Sequence, residues 1–330
     1  MMQILRRLGL DPFMLMLIGT VILAALMPAT GYGAFLVGNA AYAAVCLLFF
    51  VYGLKLDPGD IGRGLRNWRL QSLVLAMTYA VFPLLGLLIV TIIAGHLPEE
   101  LVIGFLFLAI LPSTVQSSIA FTSLSNGDVG AAICAASLSN IVGVVLTPLL
   151  AALLLRSSGG VSSDTVINIA MQILLPFALG QAMRPLLGGW IAKRPMLSLV
   201  VDRGSILLIV YSAFSAGMVA GVWQRIDLSI LGTVLVIEAL LLATILTMAM
   251  LIAKTSGLQQ REAVVVQFCG STKSIATGIP IANIVFAGTP VSLIVLPLML
   301  FHQMQLFVCA SLAQRYSQRV KKPIQSPAGE

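Results

Sequence analysis

Ten apolar runs, each about as long as a bilayer is thick, leave this chain few ways to fold. A helix of roughly 20 apolar residues crosses the hydrocarbon core. By that rule the runs fall at 12–28, 34–54, 70–94, 100–124, 129–155, 164–183, 201–223, 229–253, 262–286 and 290–313. Charged residues make up 9% of the 330 and apolar ones 59%, against roughly 25% charged in an ordinary soluble domain. A soluble chain of this size would still leave about a quarter of its unfolded surface wet. The composition therefore excludes a soluble enzyme, a nucleic-acid-binding domain, a disordered chain and a disulfide scaffold. The expected class is an all-α integral membrane protein with ten transmembrane helices.

Arg6 and Arg7 precede the first run in the manner of a signal peptide, but no small-x-small cleavage site follows, so this run reads as the first span. The net charge of +7 is spread between the runs rather than gathered in a nucleic-acid-binding patch. Sixteen Lys and Arg fall on one side: Arg6, Arg7, Lys55, Arg63, Arg66, Arg69, Arg184, Lys193, Arg194, Arg203, Lys254, Arg261, Arg315, Arg319, Lys321 and Lys322. Only Arg156 and Arg225 fall on the other. Positive residues stay inside, so both termini are expected in the cytoplasm, in a plasma or inner membrane. Lys273 belongs to no loop. Cys46, Cys134, Cys269 and Cys309 lie in separate apolar runs and read as small buried hydrophobes.

Ten spans divide into five and five. Because five is odd, a duplicated second half enters the membrane from the opposite side, as in many transporters. The expected halves are 1–155 and 156–313, with a frayed cytoplasmic tail at 314–330. The Ser-Thr pair at Ser113 and Thr114 in the fourth span recurs at Ser271 and Thr272 in the ninth, the fourth of its half. Chance polar residues at helix contacts would also give so short a match. Its placement at equivalent points is what favours duplication.

Pro112 and a cluster of hydroxyls interrupt the fourth span, and Gly270 with a second cluster interrupts the ninth. Backbone groups freed in lipid need partners inside the protein, and two matched breaks that cross would make a polar site. Ser113, Thr114, Gln116, Ser117 and Ser118 supply one set. Gln267, Ser271, Thr272, Lys273, Ser274 and Thr277 supply the other. Charges at depth are costly and usually line pathways or pair with one another. Lys273, in the break itself, and Glu238, in the eighth span, are the two such charges. Asn140, Thr78, His302 and Gln303 are polar groups of the surrounding spans. No metal-ligand spacing and no cofactor motif is present, so neither is expected.

Five stretches carry a resemblance: GLKLDPGDI with RNWRL (53–70), ILPSTVQSSIAFTSLSNGDVGAAICAASLSNIVGVVLTPLL (110–150), ILLPFALGQAMRP (173–185), FCGSTKSIATGIPIANIVF (268–286) and LPLMLFHQMQL (296–306). Through them the chain resembles the bile acid:sodium symporter family, solute carrier family 10, and within it the bacterial branch grouped with member 7. The resemblance implies a panel domain of spans 1, 2, 6 and 7. It implies a core domain of spans 3–5 and 8–10, with broken spans 4 and 9 crossed. It also implies uptake of organic anions driven by sodium. The sodium ligands of the bile acid branch carry over only in part. Its span 9 carboxylate falls near Phe268, its span 3 Gln at Thr78, two of its hydroxyls at Ala132 and Ala136, and its crossover Asn at Lys273. Ser117 and Ser118 survive. An ammonium in that set would repel sodium, which prefers oxygen ligands as hard cations do.

The leading expectation is a secondary transporter of a small organic anion or amphipathic acid, working by alternating access with degenerate sodium sites. Sodium, a proton or no coupling ion at all stay open. A lysine ammonium has three donors to offer the hydroxyls and freed carbonyls of both breaks, with Glu238 as a candidate charge partner. One chain holds a complete site, which favours a monomer whose partners are the bilayer and an anionic substrate. Two other readings stay open. One is a membrane regulator of calcium homeostasis. The other is an intramembrane hydrolase using Ser271 and Lys273, although residues two apart on a helix do not face each other.

Overall fold

The computed structural model describes residues 12–55, 67–154, 173–221, 224, 226–286 and 291–321. Among the described residues there is no strand, and these residues form twelve helices, with the π turn at Met77–Val81 counted inside the third. The first six are α1 (Pro12–Leu26), α2 (Gly31–Lys55), α3 (Trp68–Ile93), α4 (Glu99–Ala109), α5 (Gln116–Leu124) and α6 (Val129–Leu154). The others are α7 (Leu175–Ala192), α8 (Pro195–Val219), α9 (Leu228–Thr255), α10 (Gln260–Ser271), α11 (Ile275–Val285) and α12 (Val291–Lys321). Six of them, α2, α3, α6, α8, α9 and α12, are long and apolar enough to cross a membrane. Arg6, Arg7, Arg63, Arg66, Arg156, Arg225 and Lys322 of the charge count lie outside the described residues, as do residues 164–172 of the sixth run.

The fourth and ninth runs are each two helices, not one. Their halves hold 11, 9, 12 and 11 residues, so at 1.5 Å per residue each reaches only about half the hydrocarbon thickness. The breaks are narrower than the polar runs suggest. Gln116, Ser117 and Ser118 already belong to α5, and Gly270 and Ser271 still belong to α10.

Two expectations are corrected. The sequence places the end of the sixth span before Pro185, yet α7 runs through that proline to Ala192. A proline inside a membrane helix removes one donor, and neighbouring groups compensate. The sequence also has the tail fraying from Gln314, yet α12 continues to Lys321. Tyr316 anchors it, its ring beside Phe268 and its hydroxyl donating to Gln267 Oε1 at 2.9 Å.

Packing sorts the helices. α2 lies along α7 and α8, and α1 lies along α8. In a second set α9 packs on α10, α12 and α3 on α4, and α10 on α5 and α6. α8 touches α11 and α12, joining the two sets. Between α2 and α7 the backbones meet: a Cβ on Gly53 would run into the Phe177 carbonyl, and one on Gly180 into the Phe50 carbonyl. On α3, Leu84, Leu88 and Ile92 recur every four residues as one exposed apolar stripe. That is the face such a helix turns to lipid.

The ends of the helices carry polar anchors. Arg194 stacks 4.2 Å over the Trp190 ring, and Lys55 pairs with Asp202 at 2.9 Å. Aromatic and basic groups of this kind sit at membrane–water interfaces. At the start of α9, Asp227 accepts from the Ile230 N–H at 2.8 Å and from the Ser229 hydroxyl at 2.9 Å. These bonds hold its carboxyl below the usual range. The cap therefore stands at neutral pH and is lost only as the pH falls through that lowered value.

Candidate functional site

The break after α4 leaves a run of carbonyls without helical donors, and each finds a partner. Ile110 N–H turns back to Phe107 O at 3.2 Å and Leu111 N–H to Leu108 O at 3.4 Å. Thr147 Oγ1 donates to Ile110 O at 2.9 Å. Ser274 N–H reaches across from the other break to Pro112 O at 2.9 Å, and Asn140 Nδ2 donates to Ser113 O at 2.9 Å. That leaves Ala109 O and Leu111 O. The Lys273 ammonium donates to both, at 2.8 and 2.6 Å.

Its third hydrogen bond goes to Thr78 O, at 3.0 Å. That carbonyl is free for a reason written in the sequence. At Met77–Val81 α3 makes a π turn, in which Phe82 N–H reaches back to Met77 O. The next residue, Pro83, has no N–H to offer. Thr78 O is thus skipped by one donor and denied the next, and Lys273 takes it. The Phe82 ring lies 4.1 Å from the ammonium and completes its shell with a cation–π contact. Lys273 is wholly buried, and all three of its donors are used.

The hydroxyls form a separate cluster. Thr272 Oγ1 lies 3.1 Å from Ser113 Oγ, 3.0 Å from Thr114 Oγ1 and 2.8 Å from Ser118 Oγ. Ser117 Oγ adds a 2.6 Å bond to Thr114 Oγ1. The two breaks therefore touch through side chains as well as backbone. Lys273 Nζ bonds to none of these hydroxyls, contrary to expectation, because the three carbonyls saturate it.

Asn140 ties the crossing from one side. It accepts from Thr277 Oγ1 at 3.1 Å while donating to Ser113 O. Ser274 caps α11, its hydroxyl accepting from Thr277 N–H at 3.2 Å. His302 Nδ1 sits 3.2 Å from Lys273 O. Thr78 takes part through its carbonyl only, since its hydroxyl donates to Val74 O. Ala132, Ala136 and Phe268 are fully buried apolar groups.

Other named residues lie elsewhere. The sequence groups Gln267 with the crossover, but its amide donates to Leu246 O at 3.2 Å and accepts from Tyr316. Several residues before the break's centre, it faces α9 and α12 instead. Glu238 is wholly buried, with neither carboxyl oxygen hydrogen-bonded and no ion pair to Lys273 among the described residues. Ser271, the candidate nucleophile beside Lys273, has a buried hydroxyl with no hydrogen-bond partner among the described residues, and the two side chains do not bond. Gln116 is exposed. It lines a cleft of about 760 Å³ together with Lys55, Arg184, Ser198 and Asp202, between α2, α7, α8 and the start of α5.

Gln305, like Thr147 and Phe82, is a site residue that sequence reasoning misses. Its amide bonds the Lys273 peptide twice. The available signal is its position three residues after His302, on the same helix face, whereas Gln303 lies about a quarter-turn from His302.

One substitution tests the carbonyl inventory. Thr147→Val keeps the shape but strands Ile110 O in the interior, which costs about 1–3 kcal/mol. Thermal unfolding in detergent should show a lower midpoint for Val and a near-normal one for Ser.

Paired half-helices meeting at a buried, fully bonded cation, with six helices long and apolar enough to cross a bilayer, define a class first: a helical, multi-pass membrane protein with a polar crossover in its interior. The comparisons give the particular family. The sequence profile of the SBF-like CPA transporter family matches residues 11–318, and the chain belongs to that family. It is 46% identical to the uncharacterized protein PA2026 of Pseudomonas aeruginosa over 312 residues, covering 94% of this chain and 93% of that one. It is 42% identical over 314 residues to YfeH of Escherichia coli, provisionally named a symporter, covering 95% of each. Sodium/bile acid cotransporter 7 of Rattus norvegicus is 28% identical over 317 residues, 93% of this chain and 92% of that one.

Proposed function

We propose that this protein is a secondary active transporter of a small organic anion, in which the Lys273 ammonium stands where a coupling cation would bind. The carrying observation is the shell of three backbone carbonyls and one aromatic face around that ammonium. A bare cation held by the same oxygens would be the ordinary occupant of such a place. Here the charge is covalently tethered, and the apolar Phe268, Ala132 and Ala136 offer no further ligands. The names of the cotransporter relatives support coupling to sodium. The tethered charge supports a proton in its place.

In this reading the ten spans form two inverted five-span repeats. α1, α2, α7 and α8 form the panel, and the remaining helices form the core that moves against it. The packing of α2 on α7 and α8, apart from the α9–α10 and α4–α12 pairs, supports the division. Substrate enters through the cleft lined by Lys55, Gln116 and Arg184. With Asp202 paired to Lys55, its lining residues still sum to one positive charge, which favours an anion, and Gln116 begins the half-helix α5 that leads from the break.

A thermal-shift screen of organic anions tests the function, since a ligand of the folded state raises the apparent midpoint. Stabilisation by one class of anion, independent of sodium, is the expected result. No response to any anion, together with no uptake of the screened anions into proteoliposomes, would contradict it. Orientation has its own test. A reporter fused after Lys321 should report from the cytoplasm, and a periplasmic signal would overturn the topology.

A further inference from the structure

We propose that Gln305 is the positioning residue of the crossover, a side chain that holds the Lys273 peptide so that the ammonium meets its three carbonyls. The inference rests on the reading of Lys273 as the tethered cation. Lys273 N–H donates to Gln305 Oε1 at 2.8 Å, and Gln305 Nε2 donates back to Lys273 O at 2.9 Å. A side-chain amide thus pairs with the N–H and C=O of one residue, as a neighbouring strand would. Its second N–H points to His302 Nδ1 at 2.9 Å. Both amide hydrogens are then spent. Gln305 is wholly buried on α12.

This clamp answers a specific need. Between α10 and α11 the chain is extended at Thr272 and Ser274, on either side of Lys273. Ser274 N–H is taken by Pro112 O. The Lys273 N–H and C=O have no helical partner, and in the protein interior the N–H would otherwise go unpaired, while the C=O has only His302 Nδ1 at 3.2 Å nearby. Gln305 supplies both groups at once. A residue with only a donor or only an acceptor cannot. With the peptide fixed, the lysine stem is aimed at the Thr78, Ala109 and Leu111 oxygens.

The geometry makes Gln305→Glu an informative variant. As a neutral acid it retains a donor and an acceptor, but as a carboxylate it only accepts and faces the Lys273 carbonyl with negative charge. His302 on its own helix faces this position, and Lys273 faces it through its peptide. Glu238 on α9 and Tyr211 on α8, from helices packed on α12, make no hydrogen bond to it. Gln305→Met removes both functions.

The test uses purified full-length protein in lipid nanodiscs and needs no substrate. Hydrogen exchange at the Lys273 amide should run about tenfold faster in Gln305→Met than in wild type, the loss of one hydrogen bond of about 1.4 kcal/mol. Gln305→Glu should keep the Lys273 amide protected, because acid and carboxylate both accept from that N–H, and should show the lost donor to Lys273 O in chemical labelling instead, as a rise at Lys273 in alkali beyond that of Lys193 and Lys254 in the same sample. In parallel, labelling of Lys273 by a membrane-permeant succinimidyl ester, read by mass spectrometry, should rise in Gln305→Met. Exposed Lys193 and Lys254 should label as before, which separates repositioning from unfolding. Unchanged exchange and labelling at Lys273 in both variants would overturn the proposal. If both respond while wild type carries no anion, the transport reading fails and the clamp stands.

Discussion

Replacing Lys273 by methionine is expected to abolish transport and to lower the thermal midpoint of the protein. Methionine fills much of the same space but donates nothing. Thr78 O, Ala109 O and Leu111 O would be left in the interior without a partner. Each stranded carbonyl costs about 1–3 kcal/mol, so the combined loss is several kcal/mol. An opposing term exists, because a buried ammonium carries its own desolvation penalty. The carbonyls win, since only one side of each bond is removed and Pro83 rules out the nearest alternative donor for Thr78. The Lys273→Gln variant would recover at most two of the three bonds and no charge. It should therefore fall between wild type and Lys273→Met in stability while matching Lys273→Met in transport. Thermal unfolding and proteoliposome uptake measured on the same preparations check both halves. Full transport by the methionine variant would remove the ammonium from the mechanism.

The second large effect is steric. Gly53→Val and Gly180→Val should each prevent α2 and α7 from closing on one another. The obstacles are the Phe177 and Phe50 carbonyls, backbone atoms that cannot swing away as a flexible side chain would. Overpacking in a tight core costs about 1–3 kcal/mol and more where backbones must part. Even alanine at these positions should destabilise. Alanine at Gly232, where a Cβ meets nothing within 4 Å, should be neutral or mildly stabilising through helix propensity. Detergent-solubilised yield and unfolding midpoint would show the contrast. Equal behaviour of the Gly53 and Gly232 variants would contradict the close packing.

Where the sequence is informative, it is so because lipid imposes a simple rule on length and polarity. Apolar runs locate the helices, and Pro112 and Gly270 with their hydroxyl neighbours locate the two breaks. The hydroxyl contacts between Ser113, Thr114, Ser118 and Thr272 follow from that placement. What escapes is mostly backbone. Thr78 matters through a carbonyl that no residue-type argument can see, although Pro83 near the middle of the third span is a usable hint. Gln305 differs from Gln303 only in helix phase, which polarity alone does not report. Gln267 looks like a crossover ligand because it is polar and near the break, yet Tyr316 and Leu246 hold it elsewhere. Pro185 reads as an end because a proline usually costs a helix dearly, while here α7 simply continues past it.

The most direct test of the tethered cation is uptake of a labelled organic anion, one that stabilises the protein in the thermal screen, into proteoliposomes under imposed gradients. With sodium on both sides, on one side or absent, wild-type uptake should be unchanged. An imposed proton gradient should drive it, and Lys273→Gln should remove that response while leaving folded protein in the membrane. A saturable sodium requirement with indifference to the proton gradient would contradict the account.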